Sequence, residues 1–227
     1  MKSTAILIPA RYGSTRFPGK PLVALDNIPM IRRVFERCRK TGHDVYVLTD
    51  DKRIADKFEQ HQVIMDLTDY ENGTERCAGA VAMRTLDTYD YFVNVQGDMP
   101  DITEDLIEKC IWHLQHYPVT TVFTNMPKQM QDDPNSVKMI RAGDQALWFG
   151  RGITGYGEWH LGVYGYRKNA LQSYPNLQIE QEERIEKLEQ LRWLKSGWQI
   201  GCLSVYFNGV EINTPEDVET WQQKNLQ

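Results

Sequence analysis

Three cations stand close together near the start of the chain, Arg11, Arg16 and Lys20, inside the stretch Pro9-Ala10-Arg11-Tyr12-Gly13-Ser14-Thr15-Arg16-Phe17-Pro18-Gly19-Lys20-Pro21. Two glycines, two small hydroxyl residues and three prolines are interleaved with them. Glycine lets backbone amides approach a ligand, proline lowers the cost of ordering, and Arg and Lys give charge-assisted hydrogen bonds to phosphate oxygens. The chemistry that suits such a loop is the holding of a polyphosphate. Residues 13–20 superficially match G-x-x-x-x-G-K-[ST], but one residue too many separates the glycines, and Pro21 stands where a metal-binding hydroxyl is required. This argues against a P-loop kinase or ATPase. The plain alternative is a charged surface loop with no ligand.

Three other places carry residue types with chemical use. Asp98, in Gln96-Gly97-Asp98-Met99-Pro100, follows the apolar run 91–95; a carboxylate leaving the carboxyl end of a strand is a common way to present an oxygen ligand to Mg²⁺, and equally a common turn residue. Asn72-Gly73-Thr74-Glu75-Arg76 reads as a turn into a helix, either a second anion site at a helix N-terminus or an ordinary capping turn. A single helix is expected over 181–195, with an apolar stripe of Ile185, Leu188, Leu191 and Leu194. Glu186, Glu189, Gln190 and Trp193 form a second stripe at the same spacing, which is either a solvated face or the wall of a polar pocket.

The elements that must position these residues alternate through the first half of the chain. Ala5-Ile6-Leu7-Ile8 reads as a buried parallel strand, so the cationic loop lies at its carboxyl end, where open α/β sheets bind ligands. A helix opens after Asn27-Ile28-Pro29 and closes at Gly42, strands follow at 45–48 and 63–65, and Thr49-Asp50 caps a helix between them. Thr103 caps a helix whose Leu106, Ile107, Cys110, Ile111 and Leu114 form a core stripe, with His113 and His116 expected at the surface. Strand–helix alternation implies an α/β fold with a mostly parallel sheet. After Pro118 the texture changes: 119–123, 137–140, 146–149 and 161–166 read as strands with little helix between, a mixed extension, before a strand at 200–206 and a last helix at 215–223.

The 227 residues suffice for one α/β domain with a sizeable core, and 41% hydrophobic and 25% charged residues are ordinary for a globular protein. A formal net charge of -5 argues against a dedicated nucleic-acid binder. Any phosphate site is then a local basic pocket in an acidic protein. Nothing at the N-terminus is apolar for long enough to be a signal peptide or membrane span, and a cytoplasmic protein without membrane or nucleic-acid partners is expected. Cys38, Cys77, Cys110 and Cys202 lack metal-ligand or redox spacing and read as free structural thiols.

With these segments identified, the chain resembles the CMP-Kdo synthetases, the 3-deoxy-manno-octulosonate cytidylyltransferases. The matching blocks, in order, are IPARYGSTRFPGKPL, YVLTDD, GTER, NVQGD, HLGVYGYR, LEQLR and TPEDVE, spread over nearly the whole chain. The resemblance implies one nucleotide-diphospho-sugar-transferase-like (Rossmann-like) α/β domain over 1–227, with 119–180 as a strand-rich sugar-binding and dimerising portion of a homodimer. It implies the reaction CTP + sugar acid → CMP-sugar + pyrophosphate, with Mg²⁺ as cofactor. By the same resemblance Ala10, Arg11, Gly13, Ser14, Arg16, Lys20, Gly73, Thr74 and Arg76 bind the nucleotide, and Arg11, Lys20 and Asp98 carry the catalysis. Gln96, Arg151, His160, Tyr164, Glu189 and Gln190 face the sugar acid, and Asp98 and Asn213 bind the metal.

The chain departs from the family pattern in four places. Asn213 stands where the family's D-T-P-E-D begins with a metal-binding aspartate; an amide oxygen brings no charge, and Glu211, two residues earlier on the same strand face, is a candidate to supply it. Met99 replaces an acidic residue after Q-G-D. Phe149-Gly150-Arg151-Gly152-Ile153-Thr154-Gly155 replaces F-S-R with its I-P pair and longer insert, and residues 174–183 lack a proline-leucine run. These departures bear on the acceptor more than on CTP: Kdo, an amino-Kdo or another sugar acid are the alternatives, together with a CTP-binding protein impaired in turnover.

Overall fold

The first strand, β1 (Thr4–Ala10), is apolar on both faces because both are covered: Ala5 and Leu7 pack on one side, Ile6 and Ile8 on the other. In this computed structural model, which describes residues 2–13 and 17–225, the chain then makes a small ribbon of β2 (Ala24–Leu25) and β3 (Ile28–Pro29). Helix α1 (Met30–Arg39) follows the expected opening at Pro29 and buries Met30, Ile31, Val34, Phe35 and Cys38. Strand β4 (Asp44–Thr49), helix α2 (Lys52–Ala55), strand β5 (Val63–Met65), helix α3 (Gly73–Ala82), strand β6 (Tyr91–Asn94) and helix α4 (Glu104–His113) complete the alternating half. The α2 cap is Asp51, whose carboxylate accepts from the Arg53 amide, one residue past the expected pair.

The second half supplies β7 (Val119–Thr124), β8 (Lys138–Ala142), β9 (Gln145–Gly150) and β10 (Glu158–Arg167). Helices α5 (Lys168–Ser173), α6 (Gln181–Glu186) and α7 (Leu191–Lys195), strand β11 (Ile200–Ser204) and helix α8 (Pro215–Asn225) follow. Nine strands form one sheet in the order β5-β4-β1-β6-β10-β7-β11-β9-β8, and β8 also pairs with β10. The sheet is mixed: β5, β4, β1 and β6 run parallel, as does the β7–β11 pair, whereas β10, β9 and β8 add antiparallel pairings. Apolar clusters cover its two faces, and a third forms around Trp221. All four cysteines are buried free thiols. No helix of the described residues is long and apolar enough to cross a membrane.

Two expectations are corrected. The helix expected over 181–195 is two, α6 and α7, broken where Lys187 adopts a left-handed backbone with φ 54°. The break turns Leu188 into the core and leaves Ile185, meant for the apolar stripe, 67% exposed. Neither Gly nor Pro marks it, so periodicity runs through it unseen. His113, expected at the surface, is buried between α4 and the β8–β9 turn, with Nε2 3.4 Å from the Asp144 carbonyl; His116 remains exposed.

Candidate active site

After β1 the chain doubles back. Gly19 takes a left-handed φ of 73°, its amide donates to the Tyr12 carbonyl at 2.9 Å, and a Cβ there would lie 3.2 Å from the Tyr12 ring. Only glycine suits both demands. The reversal returns Lys20 to the sheet, where Nζ lies 2.8 Å from Oδ2 of Asp98 in the turn after β6. That turn sits tight on the end of β1: a Cβ on Gly97 would stand 3.4 Å from the Pro9 carbonyl and 3.1 Å from Ile31. Two of the three residues expected to act in catalysis are thus in contact. Ser14 and Arg16 lie outside the described residues.

A second segment is held against the same turn. The Ile212 amide donates to the Asp98 carbonyl at 2.9 Å, and Asp101 accepts from the Val210 amide at 3.1 Å and from Trp221 Nε1 at 2.9 Å. This brings Glu211 beside Asp98. Its carboxyl is pushed up to about 7, chiefly by burial and then by the Asp98 charge, against the pull of Lys20 and Arg151. The Asn213 amide is tied to Asp217 at 2.8 Å. Arg11 donates to the Tyr70 carbonyl at 2.9 Å and the Glu71 carbonyl at 3.3 Å, which fixes the approach to α3.

The start of α3 differs from an open anion site. Asn72 caps the Glu75 amide at 2.9 Å, and the Thr74 amide donates to the Glu189 carboxylate at 3.3 Å, so a protein anion already sits at this helix terminus. Arg76, expected to contact a nucleotide, is 2% exposed and engaged elsewhere, at 2.7 Å from Asp50 and 3.2 Å from the Asp66 carbonyl. Buried on the inner side of α3, its guanidinium staples the ends of β4 and β5 and reaches the site only through them. Gly73 remains in place: a Cβ there would lie 3.8 Å from the Gln96 amide, and Gln96 in turn lies against Gly162 of β10.

The residues expected to face a sugar acid gather around β10. His160 and Tyr164 have ring centroids 5.3 Å apart, on one side of the sheet despite an irregularity in the β10–β7 register between Leu161 and Tyr164. Burial, helped by the Arg151 charge, pushes the His160 imidazole down to about 3, so the ring is neutral. Gln190 is buried, and burial raises the Glu189 carboxyl above its ordinary range although the Thr74 bonds oppose it. Trp193 belongs to the core, packed on Tyr166, Tyr174 and Trp198. Arg192 fastens this corner, 2.6 Å from Glu183 and 2.9 Å from Glu75.

Arg151 is supported by Glu186, from the second stripe of the expected 181–195 helix, and by two residues that the sequence did not single out, Lys138 and Asn135. Its amide donates to Glu186 Oε2 at 2.7 Å, its carbonyl accepts from Lys138 Nζ at 2.9 Å, and its own Nη1 donates to the Asn135 carbonyl at 2.6 Å. Lys138 is 0% exposed and also reaches the carbonyls of Asp133 at 2.6 Å and Ser136 at 3.1 Å. Its three ammonium protons therefore all go to backbone oxygens. The one signal in the sequence was a lysine inside the apolar run Val137-Lys138-Met139-Ile140.

The cytidylyltransferase family model matches residues 5–200. An 8-amino-3,8-dideoxy-manno-octulosonate cytidylyltransferase of Shewanella frigidimarina is 40% identical, over 96% of this chain and 96% of its own. One of the same name from Shewanella halifaxensis is 37% identical, over 95% and 96%. Among solved structures, a CMP:2-keto-3-deoxy-manno-octonic acid synthetase complexed with CTP aligns with a TM-score of 0.90 at 31% identity, over 99% of both chains. A 4-diphosphocytidyl-2C-methyl-D-erythritol synthase of Anaerococcus prevotii, at 13% identity and a TM-score of 0.68, shares the fold. With the family model, the curated relatives and the solved synthetase each matched over most of the chain, this chain belongs to the cytidylyltransferase family.

Proposed function

We propose that this chain transfers the cytidylyl group of CTP to a 3-deoxy-manno-octulosonate-type sugar acid in the cytoplasm, with the 8-amino-3,8-dideoxy acid as the acceptor to try first. The observation that carries the reading is the 2.8 Å contact between Lys20 and Asp98 beyond the carboxyl ends of β1 and β6, with Gln96 lying against Gly73 and Gly162, His160 bordering Tyr164, and Glu189 at the Thr74 amide. The anomeric hydroxyl attacks the α-phosphorus, a new P–O bond forms, and the bond to pyrophosphate breaks in line. No covalent enzyme intermediate is required, so positioning and charge neutralisation carry the rate. Arg11, Gly13 and Lys20, with Ser14 and Arg16, hold the triphosphate; Arg151, His160, Tyr164, Gln190 and Glu189 orient the acid.

The donor set near Asp98 fits Mg²⁺. Asp98, Glu211 and Asn213 offer only oxygen ligands, and Mg²⁺ is commonly held by one or two carboxylates together with substrate phosphates. The mutual repulsion of Asp98 and Glu211 is what a divalent cation relieves. Mg²⁺, when bound, supplies neutralisation of phosphate charge. Asp98, with Glu211 or the Asn213 amide oxygen, would hold the metal, and Lys20, now 2.8 Å from Asp98, would supply its charge to phosphate.

Pyrophosphate release from CTP and Mg²⁺ should appear with Kdo, its 8-amino analogue, or both. Tight CTP binding with no release from any sugar acid would overturn the enzymatic reading and leave a CTP-binding protein. A homodimer formed through 119–180 belongs to the same reading, and a monomer in sedimentation at micromolar concentration would remove it.

A further inference from the structure

We propose that Thr121 is a positioning residue that holds His160 with its proton on Nε2, leaving a bare Nδ1 to accept a hydrogen bond from a hydroxyl of the sugar acid. Thr121 lies on β7, buried, opposite the β10 stretch that carries His160. Its Oγ1 is 2.8 Å from the Val163 carbonyl, 3.5 Å from the Leu161 carbonyl and 3.0 Å from His160 Nε2. A carbonyl can only accept, and a threonine hydroxyl has one proton to give. The near carbonyl of Val163 takes that proton. Toward the ring, Oγ1 is left with a lone pair, so Nε2 must be the donor.

A neutral imidazole carries one N–H, and its other nitrogen is then an acceptor. The ring is neutral because it is buried and faces the Arg151 charge. Phe149 packs edge-on against it with centroids 4.9 Å apart, and Tyr164 borders it at 5.3 Å. Among the described residues, the fully buried polar side-chain atoms without a partner belong to Asn94 and His113. Nδ1 of His160 is not among these fully buried unpartnered atoms, no hydrogen bond to it is found among the described residues, and the residue as a whole is 5% exposed.

The tautomer sets what this position selects. A bare nitrogen attracts a hydroxyl and repels a carboxylate oxygen. The acid's carboxylate is thereby left to Arg151, and one hydroxyl is drawn to His160, which orients the molecule between them. This assignment of a ligand rests on the proposed sugar-acid site, but the tautomer itself does not.

The test uses the whole protein labelled with ¹⁵N-histidine. The five histidines are resolved by long-range proton–nitrogen spectra, and His160 is identified by its loss in His160→Gln. Wild type and Thr121→Ser should show Nδ1 unprotonated and Nε2 protonated, while Thr121→Val should show a mixture. With CTP and an active sugar acid, Thr121→Val should raise KM for the acid on the order of 10-fold and leave KM for CTP unchanged, with Thr121→Ser restoring it. Nδ1 protonated in wild type would overturn the proposal, as would a Thr121→Val protein with unchanged tautomer and unchanged KM. If wild type uses no sugar acid, the functional reading falls, and the wild-type spectrum still decides the tautomer.

Discussion

Asp98 answers to Lys20 at 2.8 Å on one side and to the Glu211 carboxyl on the other. An ammonium and a second carboxylate compete to set its charge environment. Asp98→Asn should lower turnover on the order of 10²-fold while CTP still binds through the cationic loop, measured as pyrophosphate release against CTP affinity. Wild-type turnover would refute its assigned role. The companion change Asn213→Asp should lower the Mg²⁺ concentration for half-maximal rate; an unchanged metal response would instead favour Glu211 or an arrangement with Asp98 as the one carboxylate. Asp98 was legible because an acidic residue just past a strand is a local pattern. Lys138 and Thr121 were not: each acts through partners 13 to 42 positions away, which no spacing rule connects.

At the scale of elements, most of the order of strands and helices could be read from apolar periodicity: the strands expected after Pro118 and the last helix appear, whereas the one helix expected over 181–195 is two. The break at Lys187 could not, because a left-handed lysine is fixed by tertiary packing and not by its own preference. Its effect is local but consequential: α6 ends so that Glu186 can reach the amides of Arg151 at 2.7 Å and Gly152 at 3.4 Å. Glu186 thereby ties the short segment before His160 to α6 with one carboxylate. Glu186→Ala should raise KM for the sugar acid on the order of 10-fold with KM for CTP little changed. Equal effects on both substrates would show that the carboxylate serves general stability instead.

For the whole molecule, buried neutral histidines couple stability to acid. His160 is held down to about 3, whereas an unfolded histidine titrates near 6.5. The unfolded chain then binds the extra proton between these values, so stability is full above about 6.5 and falls as pH drops, by up to about 1.4 kcal/mol per pH unit. His113, also lowered by burial, acts in the same direction. Glu189 and Glu211, both raised, act oppositely and lose stability as pH rises through their folded values. Comparing wild type with His160→Gln removes the shared contributions: the difference in unfolding free energy should narrow or reverse against wild type as pH falls below about 6.5. A difference constant with pH would mean that His160 titrates in the fold as it does in the unfolded chain.

The double pairing of β8, with β9 along its length and with β10 at Glu158 and Trp159, leaves little backbone unpaired at that border of the sheet. The opposite border is β5, three residues long. Exposed strand margins are where chains add to one another by continuing a ladder, and this molecule offers little of either. A second copy that docked by side chains on a face or a loop would make a contact that surface substitutions can separate without unfolding the sheet.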